Sequence, residues 1–456
     1  MKHLKIKKLT LVVLFCGLFA FSAQAQEAHR TDTLSLSLAD ALKIAMSESP
    51  DVRIADREIR RVDYSRQSAW NNVFPSLSAS GQFAYFAVPG EMSMMGQVMN
   101  SPTSSNTTVG LNLGVPIFAP ALWNMIRMTE LDLRMAHEQA HSSRVQLRSA
   151  VTKAFYAVML AQDVHSSLLN TLEFMTEIHH QAQTRFELGL GSEFDAISAE
   201  VQMMSLKPNI LDVENNIAQL KKMLKIVIGL DIDQPIAIAG SLADYEEDMQ
   251  NANLILNMSL DNNSDLRQLS IAEQQLQRAL ALQRTQRMPT LAGFATYGYT
   301  GMGTRATDIN FGGMPIHIEQ SHDWFSQGLI VGVQLSVPIS GIITNRSNER
   351  QTRMQIEKLN IQREFLEQHI NVQVQTALNN MNTAIHQAEV AQKNQELAQR
   401  AYDISARRFE IGAGSFLETQ NALLQLSQAE ITLHQAIANF LNARAEMERL
   451  LGESGF

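Results

Sequence analysis

The chain has 456 residues, 46 of them acidic and 37 basic, for a formal net charge of −9 at pH 7. That balance lacks the electrostatic footprint of a nucleic-acid binder, so no nucleic-acid partner is expected. No Pro/Gly/Ser-rich linker divides the length into the two or three compact domains it would otherwise suggest.

An export signal is read over residues 1–25. Lys2, Lys5, Lys7 and Lys8 precede an apolar run from Leu9 to Phe21 and the small-x-small sequence Ala23-Gln24-Ala25, which predicts cleavage before Gln26. The run is shorter than the roughly 20 residues a membrane-spanning helix needs. Cys16, the only cysteine, lies in this segment behind bulky Phe15, a poor setting for lipid attachment. Removing four lysines and no acids takes the charge from −9 to −13 and leaves no thiol in the mature chain. No other run suits a transmembrane helix, so a membrane-resident mature chain must cross as a closed β-barrel.

Two strand segments follow, at about 76–88 and 107–118. In the second, Val109, Leu111, Leu113, Val115 and Ile117 alternate with Gly110, Asn112 and Gly114, giving one apolar and one small or polar face, as in a barrel strand. Phe83, Tyr85 and Phe86 in the first suggest an interfacial aromatic belt. From Pro120 to Gly189 no further glycine or proline occurs. A helix of roughly 70 residues is a rod of roughly 100 Å, far longer than globular helices and a coiled-coil candidate. Its heptad seam is Leu147, Ala154, Ala161, Leu168, Met175 and Ala182, with Val151, Val158, His165, Leu172, His179 and Phe186 between them. Leu188-Gly189-Leu190-Gly191-Ser192 reads as a turn, glycine ending one helix and serine capping the next. A return helix is expected over 192–228, with a potential kink at Pro208.

The pattern then repeats. After a linker at 230–263, strands are expected at about 290–301 and 328–339. Phe294, Tyr297 and Tyr299 are again candidate belt residues, and Val331, Val333, Leu335 and Val337 alternate with Gly332, Gln334 and Ser336. A second rod over about 342–411 carries Ile370, Ala377, Ala384, Ala391, Ala398 and Ser405 every seven residues, interleaved with Val374, Met381, Ala388, Gln395, Tyr402 and Phe409. Its turn, Ile411-Gly412-Ala413-Gly414-Ser415, mirrors the first, and a return helix is expected over 415–451. Arg185-Phe186-Glu187-Leu188-Gly189 matches Arg408-Phe409-Glu410-Ile411-Gly412. The domain reading is therefore a signal at 1–25, a first repeat at 26–229, a linker at 230–263 and a second repeat at 264–456. Four strands cannot close a membrane barrel, whose smallest examples have about eight; three copies would supply twelve.

This order, with the opening Leu36-Ser37-Leu38-Ala39-Asp40-Ala41-Leu42, Ser49-Pro50 and the two Phe-Glu-(Leu/Ile)-Gly tips, resembles the TolC family of outer-membrane efflux proteins. The resemblance implies a mixed α and β fold: a homotrimer whose 12-stranded β-barrel in outer-membrane lipid continues as an α-helical coiled-coil barrel across the periplasm. Residues 230–263 and the N-terminal helix would form an equatorial girdle. It implies a passive, gated exit duct for efflux or type I secretion, served by a periplasmic adaptor and an inner-membrane transporter, with no catalysis and no cofactor. It implies adaptor docking at Leu188 to Ser192 and Ile411 to Ser415. It aligns Asp195 with the family's gating aspartate and Glu418 with an aspartate of its acidic ring. Three positions depart: Phe409 replaces a bonding tyrosine, Gly414 an arginine, and Asn421 the second ring aspartate. Phe186 and Phe409 are then expected to close the tip by apolar packing, with Arg185 or Arg408 as partner for Asp195.

Three features support other readings. His137-Glu138-Gln139-Ala140-His141 fits the HExxH zinc-hydrolase pattern, but its counterpart in the second rod, Leu359 to Arg363, is unrelated and no third-ligand motif follows. Met92, Met94, Met95 and Met99 crowd one inter-strand loop and His317 and His322 the other. Thioethers suit Cu(I), so metal efflux stands beside the reading of plain extracellular loops. An exported coiled-coil scaffold would share the rods but has no use for the alternating strands.

Overall fold

The computed structural model describes residues 33–94, 97–250, 260–311, 314–339 and 341–452. The expected export signal and its cysteine lie outside these residues.

Strand β1 (Leu34–Leu36) leads into α1 (Leu38–Glu48), where Ser37 Oγ accepts from the Asp40 N–H and the Asp40 carboxylate accepts from the Ser37 N–H, a reciprocal cap. Helix α2 (Pro50–Asn71) starts on Pro50, whose missing N–H is not needed in a first turn. Next come β2 (Ser76–Tyr85), a small hairpin of β3 (Glu91–Met94) and β4 (Gln97–Asn100), β5 (Thr103–Phe118), α3 (Pro120–Glu187) and α4 (Glu193–Ile228). Strand β6 (Ile236–Ile238), which pairs in parallel with β1, and a short α5 (Glu246–Gln250) lead to α6 (Ser264–Thr285). Then follow β7 (Thr290–Thr304), the hairpin of β8 (Thr307–Phe311) and β9 (Met314–Ile318), β10 (His322–Ser336), α7 (Gly341–Glu410) and α8 (Phe416–Leu451). The two stretches expected as loops thus each contain a β-hairpin, and His322 opens β10 instead of lying in a loop.

The four long strands form one antiparallel sheet in the order β10-β7-β5-β2. Because side chains alternate, the register sorts them into rows across the sheet. Leu77, Leu113, Ala295 and Val331 make one row, and Ala79, Leu111, Tyr297 and Leu329 the next on the same face. Ser78, Asn112, Thr296 and Ile330 lie on the opposite face, where Asn112 Nδ2 donates to Ser80 Oγ at 3.0 Å. One aromatic expectation is corrected here. Phe294 shares parity with Thr296, not with Tyr297 and Tyr299, and its ring covers Gly332, where a Cβ would sit 2.7 Å from Phe294 Cζ. Among the described residues, β2 and β10 are each paired along one edge only.

The helices pack four abreast at two levels. Nearer the sheet the neighbours run α2, α3, α6, α7; towards the far end they run α4, α3, α8, α7. The short helices meet end to end at two matched joints. Gly229, with φ 81°, closes α4 against the α1–α2 junction, where a Cβ would lie 2.5 Å from the Glu48 carbonyl oxygen. Gly452, with φ 69°, closes α8 against Asn262, and Asn263 both caps α6 and donates from Nδ2 to the Leu450 carbonyl at 2.7 Å. Only glycine takes that left-handed conformation without strain.

On α7 the heptad positions Ile370, Val374, Ala377, Met381, Ala384, Ala388, Ala391, Tyr402 and Phe409 are buried, against a single neighbour along the far level. Helix α3 differs. Its far half lies between α4 and α8, so Ser167, Thr171 and Ile178 are buried while His165, Leu168, Leu172 and His179 are only partly so. A single seven-residue seam cannot describe a helix with two packed sides. Pro208 lies within α4, which continues through it as one helix.

Candidate functional site at the helical tips

Both hairpin tips are built by the same local chemistry. In the first, the Gly189 N–H donates to the Phe186 carbonyl and the Leu190 N–H to the Arg185 carbonyl, at 2.9 and 2.8 Å. In the second, Gly412 donates to Phe409 and Ala413 to Arg408 at 3.0 and 2.8 Å. These paired bonds satisfy the last carbonyls of each long helix and require a left-handed residue, which Gly189 (φ 71°) and Gly412 (φ 81°) supply. Gly191 and Gly414 instead make room for the preceding helix end, since a Cβ at either would lie 3.0 Å from the Cβ of Arg185 or Arg408. Ser192 then accepts from the Phe194 N–H and Ser415 from the Glu418 N–H, starting the return helices.

The tips are joined by Arg185. Its Nη1 donates to the Phe409 carbonyl, and its guanidinium lies 5.3 Å from the centre of the Phe409 ring. Phe409 is buried, edge-on to Phe416 at 6.4 Å, within an apolar cluster that includes Met175, Ile178, Ala182 and Leu423. Arg408 donates to the Ala413 carbonyl at 3.2 Å and stands 3.8 Å from Glu418. The expected partnership of Asp195 with Arg185 or Arg408 is therefore not what the chain adopts: one arginine is held by the second tip and the other by Glu418. The half-buried Asp195 carboxylate has no hydrogen bond or ion pair among the described residues.

The remaining expected site residues face outward. Leu188, Leu190 and Ile411 are 67%, 71% and 77% exposed, which leaves an apolar rim at the end of the molecule. Ala413, Glu418 and Asn421 are exposed too. Phe186 is partly exposed, whereas Phe409 is committed to its own tip, so the two rings do not form one apolar closure within the chain. Sequence reading missed the Arg185 bridge, because its two ends lie 224 residues apart. The matched Arg-Phe-Glu repeats were the one available signal.

A family model described as outer membrane efflux protein matches residues 41–230 and 255–453. The chain belongs to the outer membrane efflux protein family. It is 24% identical over 221 residues to the probable efflux pump outer membrane protein TtgC of Pseudomonas putida, a match covering 47% of this chain and 44% of that one. The matched region thus spans less than half the length of this curated relative. The solved outer-membrane channel CmeC of Campylobacter jejuni superposes with a TM-score of 0.71 at 17% identity, covering 91% of this chain and 85% of that one. The outer-membrane channel OprN gives 0.68 at 16% identity, covering 91% and 90%. At such identities these two structures show a shared fold.

The competing motifs are also placed. His137 is exposed on α3, and Glu138 and His141 are half-buried there. Among the described residues no three His, Cys, Asp or Glu side chains converge as metal ligands. His317 Nδ1 lies 2.6 Å from Asp308 across the β8–β9 hairpin, and His322 stacks edge-on to Trp324 at 5.5 Å.

Proposed function

We propose that this protein is a passive outer-membrane exit duct, assembled as a homotrimer and joined to an inner-membrane transporter by a periplasmic adaptor. The observation that carries this reading is the sheet. It has one face of exposed Leu77, Leu111, Leu113, Val331 and Leu335, an opposite face mostly of Ser, Thr, Asn, Gln and Gly, and two edges without a partner among the described residues. Unpaired edges and an open apolar face are stable in lipid only when the sheet closes. Successive antiparallel pairing makes β2 and β10 of opposite direction, so β10 of one copy meets β2 of the next in the same alternation. Three copies give twelve strands and, at either level, a wall of twelve helices.

Exposed apolar side chains on the two outer helices support the same closure: Phe194, Ile197 and Val201 on α4, and Val372, Val390, Leu397 and Ile404 on α7. The helix–strand–strand–helix–helix succession before and after the 230–263 linker supports an internal duplication, with repeats at 26–229 and 264–456 and a girdle built from the linker and α1.

In this reading the tips reach into the periplasm. Leu188 to Ser192 and Ile411 to Ser415 offer the adaptor an apolar rim, while Asp195, Glu418 and Asn421 ring the constriction, and Phe186 lines it. The rim side chains that can carry a blocking substitution are Leu190 and Ala413, since bulk at Gly191 or Gly414 strikes the preceding helix end. Extraction from membranes tests the assignment. Heat-modifiable trimers from detergent-extracted outer membrane, which conduct ions in planar bilayers, are the expected result; release of all the protein by a salt wash would sink it.

A further inference from the structure

The wall of helices carries a basic groove that neither the tips nor the barrel explains. Between α3 and α6, a groove of about 580 Å³ is lined by Arg127, Arg134, Arg278, Gln274 and Gln277, with Glu130 as its one carboxylate. None of the three guanidinium groups makes a hydrogen bond or ion pair among the described residues. In a chain of net charge −9 with 46 acidic residues, three arginines against the single carboxylate of Glu130 leave this groove a local excess of positive charge.

Position narrows the occupant. Arg127, Arg134, Tyr156 and Asp163 follow one another along α3 at intervals of about two, six and two turns, so they share one face of the helix. That is the face on which the girdle packs: Asp163 accepts from the Leu242 N–H at 2.8 Å, and Tyr156 meets Tyr245 edge-on. The groove therefore opens on the outside of the helical wall. It lies between the two inner helices of the row of four, so closure through α2 and α7 leaves it uncovered. One turn towards the sheet, on the same face as Arg127, stands half-exposed Trp123, edge-on to half-exposed Trp70 at 6.0 Å. Tryptophan pairs of this kind sit where hydrocarbon gives way to headgroups. Arg127 is seven residues into α3, about 10 Å below the start of the helix, and its Cβ tilts towards the helix N-terminus, which is the sheet end. The headgroup layer is about 5–7 Å deep on each side of the hydrocarbon.

We infer that this groove binds the phosphate headgroup of an anionic phospholipid of the periplasmic leaflet, and so fixes the height of the duct in the membrane. Arg127 and Arg278, each about 10 Å from the sheet end of its helix, supply charge-assisted, fork-shaped donors to the phosphate oxygens, and Arg134, two turns deeper on α3, adds attraction at longer range. Gln274 and Gln277 are placed to bond the headgroup alcohol, and Trp123 and Trp70 flank the acyl stem. The inference rests on the outer-membrane reading above.

The test is native mass spectrometry of the oligomer released from vesicles holding equal phosphatidylglycerol and phosphatidylcholine. Wild type should retain phosphatidylglycerol in preference, and the triple variant Arg127→Gln, Arg134→Gln, Arg278→Gln should lose that preference by about tenfold or more, since one charge-assisted hydrogen bond is worth about that factor. Arg407→Gln, at the far end of α7, should change nothing. Equal retention by wild type and triple variant overturns the site, as does displacement of the lipid by millimolar inorganic phosphate, which would make a free anion the occupant. Each arginine changed singly keeps the test informative if the triple variant assembles poorly: three singles that all match wild type overturn it. Wild type that inserts as a heat-modifiable oligomer yet shows no lipid preference overturns this inference alone; wild type that fails to insert overturns the duct reading and the site with it.

Discussion

Charge partners at single residues decide how this chain responds to pH. Glu446 on α8 receives Lys153 Nζ at 2.5 Å and Arg449 Nη2 at 2.6 Å, which ties the two inner helices together. Burial alone would raise its carboxyl, but the hydrogen bonds from Arg449 and Lys153 outweigh it and hold the group down to about 2. A carboxylate depressed in the folded state contributes stability above its unfolded value near 4.5 and loses it as pH falls towards 2. With a third of the side chain exposed, the contribution after solvent screening is about 1 kcal/mol. Glu446→Gln should therefore melt lower than wild type at pH 7, and thermal scans should show the two curves converging between these two pH values. At the tips, Glu418 is opposed by Arg408 whereas Asp195 is unopposed. Glu418→Gln with Asp195→Asn should lower cation selectivity in planar bilayers, because carboxylate rings concentrate cations in a narrow lumen. Unchanged reversal potentials would reject the ring. Asp195→Asn alone should leave resting conductance near wild type, since no tie to that carboxylate exists among the described residues.

Elements were legible in proportion to how local their causes are. Two stretches free of glycine and proline, ended by Gly-x-Gly-Ser, announced α3 and α7 almost to the residue, because helix length and its stop signals are written in neighbouring side chains. The seam of α7 was readable for the same reason, having one packed side. That of α3 was not, because its second side is set by α8, 296 residues away at the contact of Ser149 with Ala445. The β3–β4 and β8–β9 hairpins escaped notice because their strands are only four or five residues long, too short for the alternation of Glu91-Met92-Ser93-Met94 or Met314-Pro315-Ile316-His317-Ile318 to stand out, and the cover that the Phe294 ring gives Gly332 could be seen only once the register with β10 was known. Chain-distant contact also explains the end-to-end joints. Gly229→Ala should destabilise the chain by about 1–3 kcal/mol or more, because alanine is strained in the left-handed conformation and its Cβ would also enter the Glu48 carbonyl. Thermal unfolding in detergent would show this; a change under about 0.5 kcal/mol would mean that the joint is loose.

At the scale of the whole molecule, the proposed duct requires the sheet to face lipid on one side and water on the other, and β10 offers a pair of adjacent residues that separates this from simple hydrophobicity. Val331 and Ile330 are 71% and 50% exposed in the single chain and similar in size and apolarity. Val331 lies in the row of Leu77, Leu113 and Ala295, while Ile330 lies in the row of Ser78, Asn112 and Thr296. Any account in which the sheet packs against a soluble partner predicts that charge at either position hurts alike. A closed barrel predicts opposite outcomes. Val331→Arg should cost about 2–4 kcal/mol near the bilayer midplane and sharply reduce the heat-modifiable oligomer recovered from outer membrane. Ile330→Arg projects into the lumen, so the oligomer should form at wild-type yield, and three added positive charges should shift bilayer selectivity towards anions. If Ile330→Arg abolishes assembly and Val331→Arg does not, the faces have been assigned the wrong way round; if both assemble and neither changes selectivity, the sheet does not line a pore.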